Sequence, residues 1–138
     1  MQTITPYLLY EDVDAALSFL SKAFGFKEVL RYSGEAGYVN HAEMRLGDGK
    51  IYLGDPGDQY RNPKKVGNTF GTYVLVDDVD EHFERAKAAG AEITEEPTDQ
   101  EYGERRYIAV DLEGHQWYFA QPTREVAPEE WGATVATN

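Results

Sequence analysis

Two periods of apolar residues run through this chain, and both occur twice. Val13, Leu17, Leu20 and Phe24 recur at helical spacing behind Glu11-Asp12, and Val79, Phe83, Ala86 and Gly90 recur at the same spacing behind Asp77-Asp78. Such a stripe is one face of an α-helix. Asp12 and Asp78 suit N-caps, because a carboxylate accepts the free N–H groups of a first turn. Gly25 and Gly90 suit the C-terminal stops. An extended apolar run precedes each helix, at residues 4–10 and 72–76, and a short strand pattern follows each, at 27–32 and 91–95. Two further strand-like runs close each half. In the first they are residues 38–46 and 50–53, joined by the hairpin signal Gly47-Asp48-Gly49. In the second they are residues 105–110 and 116–120, joined around Leu112-Glu113-Gly114.

Each half therefore reads β-α-β-β-β. The expected fold class is α+β: two tandem βαβββ modules, a curled mixed sheet around a central cavity, and helices on the outside. The expected organisation is a single domain over 1–138, with modules at about 3–54 and 70–121, a linker at 55–69 rich in Gly, Pro, Asp and Asn, and a tail at 122–138. A short curled sheet carrying one helix leaves its concave face open. Two such halves can close that face, and the enclosed cavity is the natural place for a ligand.

Composition narrows the function. The chain has 25 acidic residues against 13 Lys plus Arg, a formal net charge of −12. That balance argues against nucleic acid and against anionic membrane as partners. Cysteine is absent, so disulfides, thiolate nucleophiles and Cys-based metal sites are excluded. The N-terminus has neither a basic region nor a long apolar run, and no stretch is long and apolar enough for a membrane span. The expected location is the cytoplasm.

Several residues carry candidate chemistry. His41, Glu43 and Arg45 alternate with Ala42, Met44 and Leu46, so period two puts the polar three on one strand face. His41 and Glu43 are candidates for acid/base or hydrogen-bonding roles, or for two ligands of a metal; a solvated strand face has the same pattern. If Thr5 and Tyr118 point into the cavity, Tyr7 and Gln116 do too, while Trp117 and Phe119 take the opposite parity and belong to the core. Tyr52, Thr72, Val74 and Tyr107 complete the expected aromatic and hydroxyl-bearing wall, which suits a planar molecule as well as simple packing. Arg105 can meet an anionic group of a ligand or pair with a surface carboxylate. His82 is expected to be exposed on the second helix, and His115 follows Gly114 at a turn. Trp131 suits either a dimer interface or a cover for its own domain.

The segments TPYLLYEDVDAALSFLSKAFGF, HAEMRLGDGKIYLGDP, YVLVDDVDEHFERAKAAGAEI and YGERRYIAVDLEGHQWYFAQP resemble the vicinal oxygen chelate superfamily of glyoxalases, bleomycin-resistance proteins and extradiol dioxygenases. TPYL and HAEMRLG look most like its glyoxalase-like branch named after the phosphonate operon. The resemblance implies the βαβββ tandem, commonly a homodimer, and a structural role for His115. In metal-using members it also implies four ligands, His or Glu, on the first and last strands of each half. Those positions fall here on Thr5, Thr72, Tyr118 and either Tyr52 or Leu53. None is His, Asp or Glu, and hydroxyls compete poorly with imidazole or carboxylate for a divalent ion. The expectation is thus no metal at these positions and no cofactor, a divalent ion elsewhere staying open. The expected function is metal-independent binding, such as sequestration, of a small aromatic or cationic molecule. The alternative is a glyoxalase-type lyase, isomerase or dioxygenase using a non-standard site around His41 and Glu43.

Overall fold

The computed structural model describes residues 1–35 and 37–137. Each expected helix forms with its expected start. Helix α1 (Val13–Phe24) is capped by Asp12, which accepts from the Ala15 N–H, and ends at Gly25 in the left-handed region (φ 83°). Helix α3 (Val79–Ala88) is capped by Asp78, which accepts from the Glu81 N–H. The linker holds one helical turn, α2 (Pro63–Val66).

The strands make two four-stranded mixed sheets. The first has the order β1-β4-β3-β2, from β1 (Tyr7–Leu9), β2 (Lys27–Tyr32), β3 (His41–Leu46) and β4 (Gly49–Gly54). The second has the equivalent order β5-β8-β7-β6, from β5 (Gly71–Leu75), β6 (Glu92–Asp99), β7 (Glu104–Val110) and β8 (Gln116–Pro122). In both, the first strand pairs in parallel with the last, so β1 and β5 are edge strands.

Register equates the halves. Tyr7 lies opposite Tyr52, and Tyr73 opposite Tyr118. Tyr7 thus corresponds to Tyr73, Tyr52 to Tyr118, and Thr5 to Gly71. The expected equivalence of Thr5 with Thr72 is one residue out of step. A slip of one turns a side chain to the other face, and Thr72 indeed pairs with the core residue Trp117.

Each helix covers one side of its sheet. Ala42, Met44, Ile51 and Leu53 of the first sheet and Tyr107, Ala109, Trp117 and Phe119 of the second turn to the helices and share one apolar cluster with them. Phe24 of α1 reaches the second module, 4.7 Å between ring centroids from Phe119 and 5.6 Å from Trp117. The modules therefore pack helix side to helix side. The open face of each sheet points outward, and the space left between the modules is an open cleft, lined by Phe26, Leu46 and Ile51 from one and Thr72 and Val74 from the other.

Turns β7–β8 and β1–α1 are tied across the modules. Asp111, buried, accepts from the Tyr10 hydroxyl (2.7 Å), the Trp117 indole (3.1 Å) and the backbone N–H groups of Glu113 and His115. Glu113, also buried, accepts from the backbone N–H groups of Glu11 and Asp12. The His115 Nε2 lies 2.6 Å from the Leu9 carbonyl, the structural role expected for this turn histidine.

Candidate functional site

The two outward faces carry matching sets of polar and aromatic side chains. On the first, the Tyr7 hydroxyl lies 3.2 Å from His41 Nδ1, and His41 Nε2 lies 3.7 Å from a Glu43 oxygen. Glu43 also pairs with Lys50 at 3.3 Å. The ring of Tyr52 meets Tyr7 edge to face, 5.8 Å between centroids. Gly54 makes this arrangement possible. A Cβ there would sit 2.7 Å from the Tyr7 ring, which lies over the glycine to reach His41. Four of the expected residues, Tyr7, His41, Glu43 and Tyr52, are thus brought together on one face.

On the second face Tyr73 and Tyr118 stack, 5.8 Å apart and 20° between planes. The Arg106 guanidinium lies 5.5 Å from the Tyr118 centroid and donates to Tyr102 and Glu95. Its Nε has no partner among the described residues and is buried. Tyr73 bonds to Glu104 and to the Tyr102 hydroxyl, and burial together with Glu104 pushes its phenol up from the usual tyrosine range. Gln116 donates to the Tyr118 phenol. Gly71 repeats the Gly54 device, since a Cβ there would sit 2.7 Å from the Tyr118 ring.

Other expected site residues lie elsewhere. Tyr107 is fully buried on the helix side, stacked on Phe119. Thr72 and Val74 share that side, opposite Trp117 and Phe119. Arg105 takes the parity of Tyr107 and pairs with Asp80 and Asp99, the surface ion pairing that was the alternative for it. His82 is not exposed. Its ring packs on Phe24 and Phe119, and its nitrogens meet the Tyr107 hydroxyl and the Phe24 carbonyl, so burial lowers its pKa.

Arg106, Tyr73, Tyr102 and Glu104 escaped the sequence reading. The signal for Tyr73 was present: the spacing between Asp12 and Asp78 also separates Tyr7 from Tyr73. By register, His41 opposite Gly54 and Arg106 opposite Ala120 occupy equivalent places.

The positions where a metal is expected in this architecture become Thr5, Gly71, Tyr52 and Tyr118 on the observed register. A hydroxyl, a glycine and two phenols do not make a divalent-metal donor set. Among the described residues no three His, Asp or Glu side chains converge as a metal site would need.

These two sheets, their order and their paired open faces define a class. The model of the glyoxalase/bleomycin resistance protein/dioxygenase superfamily matches residues 3–119. This chain belongs to that superfamily. An uncharacterized protein of Mycobacterium bovis is 34% identical over 140 aligned positions, which cover 97% of this chain and 92% of that protein. The crystal structure of TioX from Micromonospora sp. ML1 is similar at 35% identity and TM-score 0.70, covering 91% of this chain and all of that one (100%). A bleomycin-binding protein complexed with bleomycin shares the fold, with 22% identity, TM-score 0.67, and 88% of this chain and 98% of that chain covered.

Proposed function

We propose that this protein binds a small planar aromatic molecule, preferably a cationic one, without a metal, in the cytoplasm. We also propose that each pocket joins the first open face of one chain to the second open face of a partner copy. The observation that carries this is the pair of tyrosine faces turned outward and left uncovered. Tyr7 is 55% exposed and Tyr73 46% exposed. Ile4, Phe70 and Leu75 are exposed beside them, along the β1 and β5 edges. Large apolar side chains exposed along these two edges fit a contact surface. A self-complementary dimer that brings a first face against a second would cover it and leave a cleft between tyrosines. Flat rings stack on such a cleft. The net charge of −12 draws cations toward it. The unpartnered Arg106 Nε offers a donor to a carbonyl or similar acceptor on the ligand. The related bleomycin-binding fold supports a ligand of this general kind. Neither nucleic acid nor membrane enters this proposal.

Native mass spectrometry of protein purified without chelator, followed by thermal melts with bleomycin and ethidium, tests it. The expected result is a metal-free dimer whose melting temperature rises with at least one of these aromatic cations. Stoichiometric metal overturns the metal-independent part, and a melt unmoved by either compound overturns the binding.

A second reading has its own support. The Tyr7 hydroxyl and the His41 imidazole are hydrogen-bonded on the first face, with the Glu43 carboxylate 3.7 Å from the other ring nitrogen. A hydroxyl–imidazole pair can pass a proton to a bound molecule, so a lyase or isomerase step is the alternative. Turnover that disappears in His41→Gln while ligand affinity persists would establish it.

A further inference from the structure

We propose that Trp131, carried by the C-terminal segment, is the outer wall of the second ligand face, holding a planar aromatic cation against Tyr73 and Tyr118. This rests on the binding function proposed above and adds a residue from outside both modules.

The contacts run without a break. Tyr118 stacks on Tyr73, the Tyr73 and Tyr102 hydroxyls lie 3.1 Å apart, and the Tyr102 ring meets Trp131 edge to face at 6.0 Å. The tail is held in this position. After β8 the Thr123 and Arg124 N–H groups donate to the Gly103 carbonyl, and Arg124 donates to the Glu101 carbonyl. Gly103, at φ 94°, has no room for a Cβ beside the Arg124 backbone. A 3-10 turn over Pro128–Trp131 is closed by the Ala127 N–H donating to Glu130 and ends at Gly132 in the left-handed region. These bonds set Trp131 at the rim of the face rather than in a core. It stays 39% exposed, and its indole N–H meets no acceptor among the described residues. A large ring kept partly in water beside an aromatic platform is costly unless something covers it. Glu129 and Glu130 immediately precede it and favour a positively charged occupant.

The chain has two tryptophans, and the other, Trp117, is fully buried. Emission therefore distinguishes the site from the core. The full chain is titrated with ethidium by calorimetry while tryptophan emission is followed. The wild type is expected to bind with loss of Trp131 emission. W131A is expected to weaken binding roughly tenfold, the scale of one lost stacking contact. W131F should bind within about threefold of wild type for the same reason. Tyr73→Ala should weaken binding as well, and all variants should melt near the wild type. Wild-type affinity in W131A overturns the role of Trp131 and leaves the pocket standing. Loss in W131A without loss in Tyr73→Ala places the dye on the tail alone and also overturns it. A wild type that does not bind ethidium overturns the planar-cation pocket itself, and the Trp131 wall with it.

Discussion

Gly54 and Gly71 show how one missing side chain shapes each face. A Cβ at either would sit 2.7 Å from a tyrosine ring, Tyr7 in one case and Tyr118 in the other. Those rings are the ends of side chains and can swing away, so the cost falls on their placement rather than on the fold. Gly54→Ala is expected to lower ligand affinity about tenfold by displacing Tyr7 from His41, while stability changes by less than about 1 kcal/mol. Parallel titrations and urea melts check both halves of that statement. His82 makes a separate prediction. It lies between the modules against Phe24, Phe119 and Tyr107, with Arg85 nearby, and Asp77, Asp78 and Glu81 line the adjoining cleft. Desolvation lowers its folded pKa below the unfolded value. The unfolded chain therefore takes up the proton first as pH falls, and stability declines below about pH 6.5, by at most ~1.4 kcal/mol per pH unit. His82→Gln removes the titration, and its plot of stability against pH should be flatter between about pH 7 and 5. An unchanged slope would show that other groups set it.

Among the elements, the β7–β8 turn does more than connect strands. Asp111 gathers four donors from both modules, and Glu113 caps the entry to α1. Removing the carboxylate leaves buried donors unpaired. Asp111→Ala is expected to cost about 3–5 kcal/mol, against about 1 kcal/mol for removing the Asp12 cap. Urea unfolding of the two variants side by side measures the contrast. The elements themselves were legible in the sequence because each depends on local periodicity and capping. Asp12, Asp78 and Gly25 act where the pattern put them, and β2 begins and ends at Lys27 and Tyr32. Asp111 and Glu113 were not legible as a clasp. Their partners Tyr10, Glu11 and Asp12 lie far off in sequence, and no spacing rule joins them. The face assignments have a sharper limit. Parity along a strand is readable, but which parity meets the helices depends on pairing across the sheet. Thr72, Val74 and Tyr107 lie on the helix side, Thr72 and Val74 lining a cleft between the modules, while Tyr7, Tyr52 and Tyr118 lie on the open faces.

At the scale of the whole molecule, the back-to-back packing decides what kind of site is possible. The open faces of the two sheets turn away from each other, because Phe24 and the helices pack between the sheets, and on the proposed reading each face is a half-site. In the proposed dimer a second copy sets its second face against the first face of this one to complete a pocket, and twofold symmetry then makes two of them. This arrangement has a consequence that a single-chain pocket lacks. Take one chain disabled on the first face by Tyr7→Ala with His41→Ala, and another disabled on the second by Tyr73→Ala with Arg106→Ala. Each alone is expected to bind no ligand, since both of its pockets contain a damaged face. Mixed, unfolded and refolded together, half of the dimers pair unlike chains. In each of those, one pocket has both faces damaged and the other has both intact. About a quarter of the wild-type binding capacity should return, at wild-type affinity. A pocket confined to one chain predicts no recovery at any mixing ratio. Calorimetric stoichiometry separates the two outcomes, because recovered capacity changes the number of sites and not their strength.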